Sequence, residues 1–117
     1  MENVKKYLKP SGYGKGFIGV GKYTPTANKK ERNLWGGLME RCFSENYHKT
    51  KPTYKDVTVC DEWLNFQNFA AWCETQSFFN AKDDFGKAYQ LDKDLLIRGN
   101  KVYSPETCCF IPSQINS

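Results

Sequence analysis

The stretch LDKDLLIRGNKVYSPETCCFIPSQIN, residues 91–116, holds the side chains of this chain most able to do chemistry together. Asp92 and Asp94 flank Lys93, and Asn116 stands near the end. Carboxylate and amide oxygens are the donors that a hard divalent cation selects, and Mg²⁺ keeps several waters, so one of each can suffice. On their own the same residues also fit a solvent-facing strand at Asp92–Asp94, a capped turn at Ser104–Pro105–Glu106 and a loose tail at Asn116. Other common chemistries lack their signatures: there is no G-x-S-x-G, no phosphate-binding Walker loop and no H-E-x-x-H. The single histidine, His48, lies in a Lys-rich stretch with no local Cys–His signature and reads as an exposed side chain.

These residues need elements to position them. Residues 91–116 read as a strand, a polar turn, a corner opened by Pro105, a second strand and the first residues of a helix. Two antiparallel strands and a following helix bring an acid on the first strand beside a side chain on the helix. Upstream, Leu34, Trp35, Leu38, Met39, Cys42 and Phe43 recur at helical spacing, predicting a helix over about 31–45. Trp63, Phe66, Phe69, Ala70 and Cys73 mark the buried face of a second helix, capped by Asp61 and fading near Gln76. The stretch 16–26 predicts a short strand in which Gly19 and Gly21 permit close approach, ended by Pro25; residues 44–54 predict a polar loop before the β-rich KDVTVC. The expectation is one α+β domain over 17–117, two helices with short strands, preceded by a basic arm at 1–16.

Composition narrows the rest. The 117 residues suit one compact domain. Eight Phe, seven Tyr and three Trp outnumber the sixteen Leu, Ile and Val, so the core must be built largely from rings whose polar tips need partners. No apolar run approaches a membrane span and the start has no signal-peptide character, which predicts a cytoplasmic protein without a membrane partner. The five cysteines form no C-x-x-C pair, which predicts reduced, buried thiols and no zinc site. The net charge is +4, and Lys5, Lys6, Lys9, Lys29, Lys30 and Arg32 crowd the first third. Such a patch fits phosphate contacts that carry little sequence information, as well as a plain solvated face.

The tail resembles the ββα-metal motif of the HNH endonucleases, in their small phage-type branch. The matching residues are Leu91, Asp92, Lys93 and Asp94; then Gly99, Asn100, Tyr103, Ser104, Pro105, Glu106, Thr107 and Cys108; and finally Asn116. Upstream, Trp35, Met39, Arg41 and Cys42, then Pro52, Thr53, Tyr54, Val59, Cys60, Trp63 and Phe69, resemble the preamble of those proteins. The resemblance implies a divalent cation, Mg²⁺ or Mn²⁺, on Asp92 and Asn116, with Lys93 and Asp94 assisting Asp92 in catalysis. The family's general-base histidine corresponds to Lys93, and the asparagine that bridges its loop corresponds to Thr107. An ammonium with a reference pKa near 10.4 is a poor base. The implied function is therefore a phage DNA-processing protein: a metal-dependent DNA endonuclease, or a catalytically inert module of that fold binding DNA or a host protein.

Overall fold

A computed structural model describes residues 10–116, with the side chain of Asn116 left aside. The fold is α+β. Helix α1 runs Lys29–Phe43, α2 Glu45–Thr50, α3 Phe66–Thr75 and α4 Ser113–Asn116. The strands are short: β1 Pro10–Ser11, β2 Gly16–Phe17, β3 Thr58–Val59, β4 Gln90–Asp92, β5 Val102–Tyr103 and β6 Cys109–Ile111. They pair two by two, β1 with β2 and β4 with β6 antiparallel, β3 with β5 parallel.

The core lies between α1 and α3, where the predicted stripes meet. Trp35, Leu38 and Met39 of α1 face Phe66, Phe69, Ala70 and Cys73 of α3, with Trp63 beside them, all without solvent exposure. Rings dominate the contacts: Trp35 meets Phe66 edge-on at 5.7 Å, and Trp63 meets Phe69 at 5.0 Å and Trp72 at 4.9 Å. The Trp35 indole N–H donates to the Trp63 carbonyl at 2.7 Å, the partner a buried indole requires. Trp72 then stacks on Phe110 of β6 at 5.6 Å, tying the C-terminal strand pair to the helical core.

Several local expectations shift. The second helix begins at Phe66 because the Asn65 side chain accepts from the Gln67 N–H; Asp61 instead opens a 3-10 turn over Asp61–Leu64. Residues 45–50 form a helix rather than loop because Ser44 caps it, its hydroxyl accepting from the Tyr47 N–H. The strand at 16–26 stops at Phe17. Beyond it the Gln67 amide stands in for a neighbouring strand, donating to the Ile18 and Tyr23 carbonyls and accepting from the Tyr23 N–H. Residues 10–16, the second half of the expected arm, form a hairpin with Phe17 against α1. A Cβ on Gly16 would lie 2.7 Å from both the Leu64 carbonyl and the Trp35 ring. Gly19 adopts φ +78° and passes so near the Asn65 side chain that a Cβ would collide with it.

Candidate functional site

The strand pair β4–β6 and helix α4 fix the position of Asp92. Leu91 pairs with Phe110 and packs against the core. Side chains alternate along a strand, so Asp92 takes the opposite face at the last paired position, across from Cys109. It is only 8% exposed. Its Oδ2 accepts the N–H groups of Asp94 at 3.1 Å and Leu95 at 2.6 Å, a turn that ends the strand. Asp94 lies in that turn, not in the strand, and its carboxylate approaches that of Asp92. Burial, followed by the Asp94 charge, holds the Asp92 carboxyl above the ordinary range against the opposing pull of the Leu95 N–H. A proton or a cation between the two acids relieves that strain.

Loop 93–108 is clipped rather than slack. The Asn100 amide donates to the carbonyls of Lys93 at 2.7 Å and Val102 at 2.6 Å. Thr107 Oγ1 donates to the Val102 carbonyl at 2.9 Å and lies 2.8 Å from Ser104 Oγ. Asn100 and Thr107 together thus hold the loop that the resemblance assigns to one asparagine at position 107.

Lys93 points inward. Its side chain is 13% exposed, and Nζ lies 3.7 Å from Asp94 Oδ2. The rings of Tyr54 and Tyr103 flank it, with centroids 6.0 and 5.9 Å from Nζ. Arg41, at the end of α1, completes a cleft of about 190 Å³ with these residues and Leu91. Residues far apart in sequence (Arg41, Tyr54, Asp92, Lys93 and Tyr103), each part of the resemblance, therefore meet in one cleft. On its other side Asp92 borders a wider opening of about 610 Å³, with Leu95, Arg98, Ile111 and Ile115.

The donor set suits a hard cation held by few protein oxygens. Among the described residues no three His, Cys, Asp or Glu side chains gather as a cage. Asp92 and Asp94 supply carboxylate oxygens, the arrangement by which Mg²⁺ keeps water and phosphate in its shell. Asn116 lies on α4, which follows β6 directly; its side chain is outside the described residues. The thiols are free. Cys42, Cys73 and Cys108 are buried, and burial raises all three, Cys42 and Cys108 to about 12. Cys60 and Cys109 are half-buried and also raised by burial.

The basic residues separate. Lys5, Lys6 and Lys9 lie outside the described residues. Lys29 is exposed at the start of α1, and Arg32 folds over the Trp35 ring at 5.4 Å. Lys30 donates to the Phe79 carbonyl and borders a second cleft with Arg41 and Lys87. Arg41 and Lys87 lie outside the charge cluster that the sequence singles out, yet share this cleft with Lys30. A signal existed for the first: Lys30, Leu34 and Arg41 share one helix face. His48 is half-buried, not exposed, its Nε2–H donating to the Arg41 carbonyl at 2.7 Å.

Among family models, curated proteins and solved structures the outcome for this chain is the same. Nothing matches. No described helix is long and apolar enough to cross a membrane.

Proposed function

We propose that this chain is an HNH-like, phage-type DNA-processing protein that cleaves phosphodiester bonds with Mg²⁺ or Mn²⁺. The observation that carries the reading is the buried Asp92 carboxyl, held at the end of an antiparallel strand pair that leads directly into a helix. Asp92 and Asp94 would hold the cation, with Asn116 as the amide ligand that the resemblance supplies. When bound, the cation polarises the scissile phosphate and stabilises the leaving oxygen.

The chain's own residues do the rest. Arg41 and Lys93 set two cations against the carboxylate pair in one small cleft, suited to holding a phosphate oxygen beside the acids. Lys93 has three N–H donors, so its pairing with Asp94 leaves capacity for substrate. Tyr54 and Tyr103 wall the cleft and limit water around it. Asn100 keeps the loop shut so that Asp94 stays beside Asp92.

The inert-module reading draws on the same Lys93, ion-paired where the family carries its base. Nicking of supercoiled plasmid separates the two. Chelator-treated protein given Mg²⁺ or Mn²⁺ should nick, and Asp92→Asn should be silent. No nicking by the wild type under either metal would favour the inert module.

A further inference from the structure

The second cleft, about 560 Å³, lies along α1 and the approach to β4. Arg41 and Leu91 border both it and the cleft of Asp92. Its cations are Lys30, Arg41 and Lys87, and no acidic side chain lines it. Among the described residues, neither Arg41 nor Lys87 forms an ion pair. On this side of Arg41 the lining is cationic and otherwise uncharged, which favours a polyanion as its partner.

Aromatic faces accompany these charges. Tyr89 lines the cleft and stacks on Phe78, centroids 5.2 Å apart and planes 13° from parallel, while Phe78 is 54% exposed. Beyond Lys87, Phe85 is 79% exposed at a hairpin tip. That tip is rigidly made. Asp83 Oδ1 accepts the N–H groups of Phe85 and Lys87, Gly86 takes φ +78°, and Ser113 Oγ donates to Asp83 Oδ2 at 3.4 Å. The Asp83 carboxylate is thereby used within the turn.

We propose that this cleft is the track of a single strand of nucleic acid, with phosphates on Arg41, Lys87 and Lys30 and bases against Phe78 and Phe85. The proposal rests on the nuclease reading only for where the strand leads, namely past Arg41 to Asp92. Cations lining a groove beside exposed rings are how single strands are held, since an unpaired base offers its face for stacking and a duplex does not.

The test is fluorescence anisotropy of the full chain with a fluorescein-labelled single strand, and with that strand annealed to its complement, both in EDTA. The single strand should bind more tightly. Lys87→Ser, at an exposed position, should lower the slope of log affinity against log salt by about 0.7. Phe78→Ser should weaken single-strand binding roughly 5- to 100-fold and leave duplex binding unchanged. Equal or tighter duplex binding, an unchanged slope in Lys87→Ser, or no binding at low salt would each overturn the track. Binding as described without plasmid nicking by wild type would leave the track standing and remove the nuclease. Nicking that ignores Lys87→Ser and Phe78→Ser, with no binding loss, would do the reverse.

Discussion

Asp92 should be a residue the fold keeps at a cost in stability. Its carboxyl is held above its ordinary value of 3.8, so the folded chain binds a proton more readily there than the unfolded chain. The sign follows: its contribution to stability falls as pH rises from about 4 through the raised value, then levels. Asp92→Asn keeps an oxygen for the Asp94 and Leu95 N–H groups while removing the charge, and should gain about 1 kcal/mol at neutral pH. Asp92→Ala abandons both N–H groups and should lose about 1 kcal/mol, comparable to losing a helix cap. With 117 residues at about 2.1 cal/mol/K each, the unfolding entropy is about 0.25 kcal/mol/K, so each kcal/mol moves Tm by about 4 °C. Mn²⁺ at about a hundred times its Kd should stabilise wild type by about 2.7 kcal/mol, or about 11 °C, and should do so in neither variant. Thermal unfolding by circular dichroism in EDTA and in Mn²⁺, from acid to neutral pH, measures all of this. Comparing wild type with Asp92→Asn cancels the titrating groups remote from Asp92, among them Glu74 and Asp83, whose lowered values act in the opposite direction. A Tm difference that shrinks as pH rises, or a Mn²⁺ shift that survives in Asp92→Asn, would refute the reasoning.

Two further outcomes concern other side chains. Lys93→His places a group with a reference pKa near 6.5 where the ammonium stands, and should raise the nicking rate about 10²–10⁴-fold, with the gain lost when Asp92→Ala is added. A slower Lys93→His enzyme would show that Lys93 has a role of its own in the reaction. For the thiols, a disulfide reagent at pH 8 should leave Cys42, Cys73 and Cys108 unmodified in the native chain and reach all five cysteines after unfolding, while metal analysis finds well under one zinc per chain. Rapid native modification of those three, or zinc whose removal unfolds the protein, would contradict their placement.

What the sequence made legible was whatever one residue type at one spacing could carry. The helical stripes of Trp35–Leu38–Met39 and Phe66–Phe69–Ala70–Cys73 appear as the two faces of the core because aromatic periodicity survives without tertiary context. The strand, corner, strand and helix of residues 91–116 appear in the expected order. What stayed hidden depended on side chains substituting for backbone. Gln67 completing the edge beside Tyr23, and Asn65 taking the cap expected of Asp61, leave no periodic trace. The same holds at the candidate site. Asp92, Lys93, Asp94, Tyr54, Tyr103 and Asn100 could all be named from the sequence, whereas the rings flanking Lys93 and the carbonyl clip of Asn100 need the folded loop. Counting lysines in the first third does not tell which face of α1 Lys29, Lys30 and Arg32 each occupy, and that too needs the folded chain.

The divalent cation proposed at Asp92 would act on the phosphate being cut. That action is tested most directly by single-turnover cleavage of a DNA strand whose non-bridging phosphate oxygens are replaced by sulfur, compared in Mg²⁺ and Mn²⁺. Mg²⁺ prefers oxygen, while Mn²⁺ tolerates the softer ligand. Sulfur substitution should slow cleavage in Mg²⁺ and Mn²⁺ should restore it, with Asp92→Asn inactive in both. Equal slowing in the two metals, or cleavage that persists in Asp92→Asn, would contradict it.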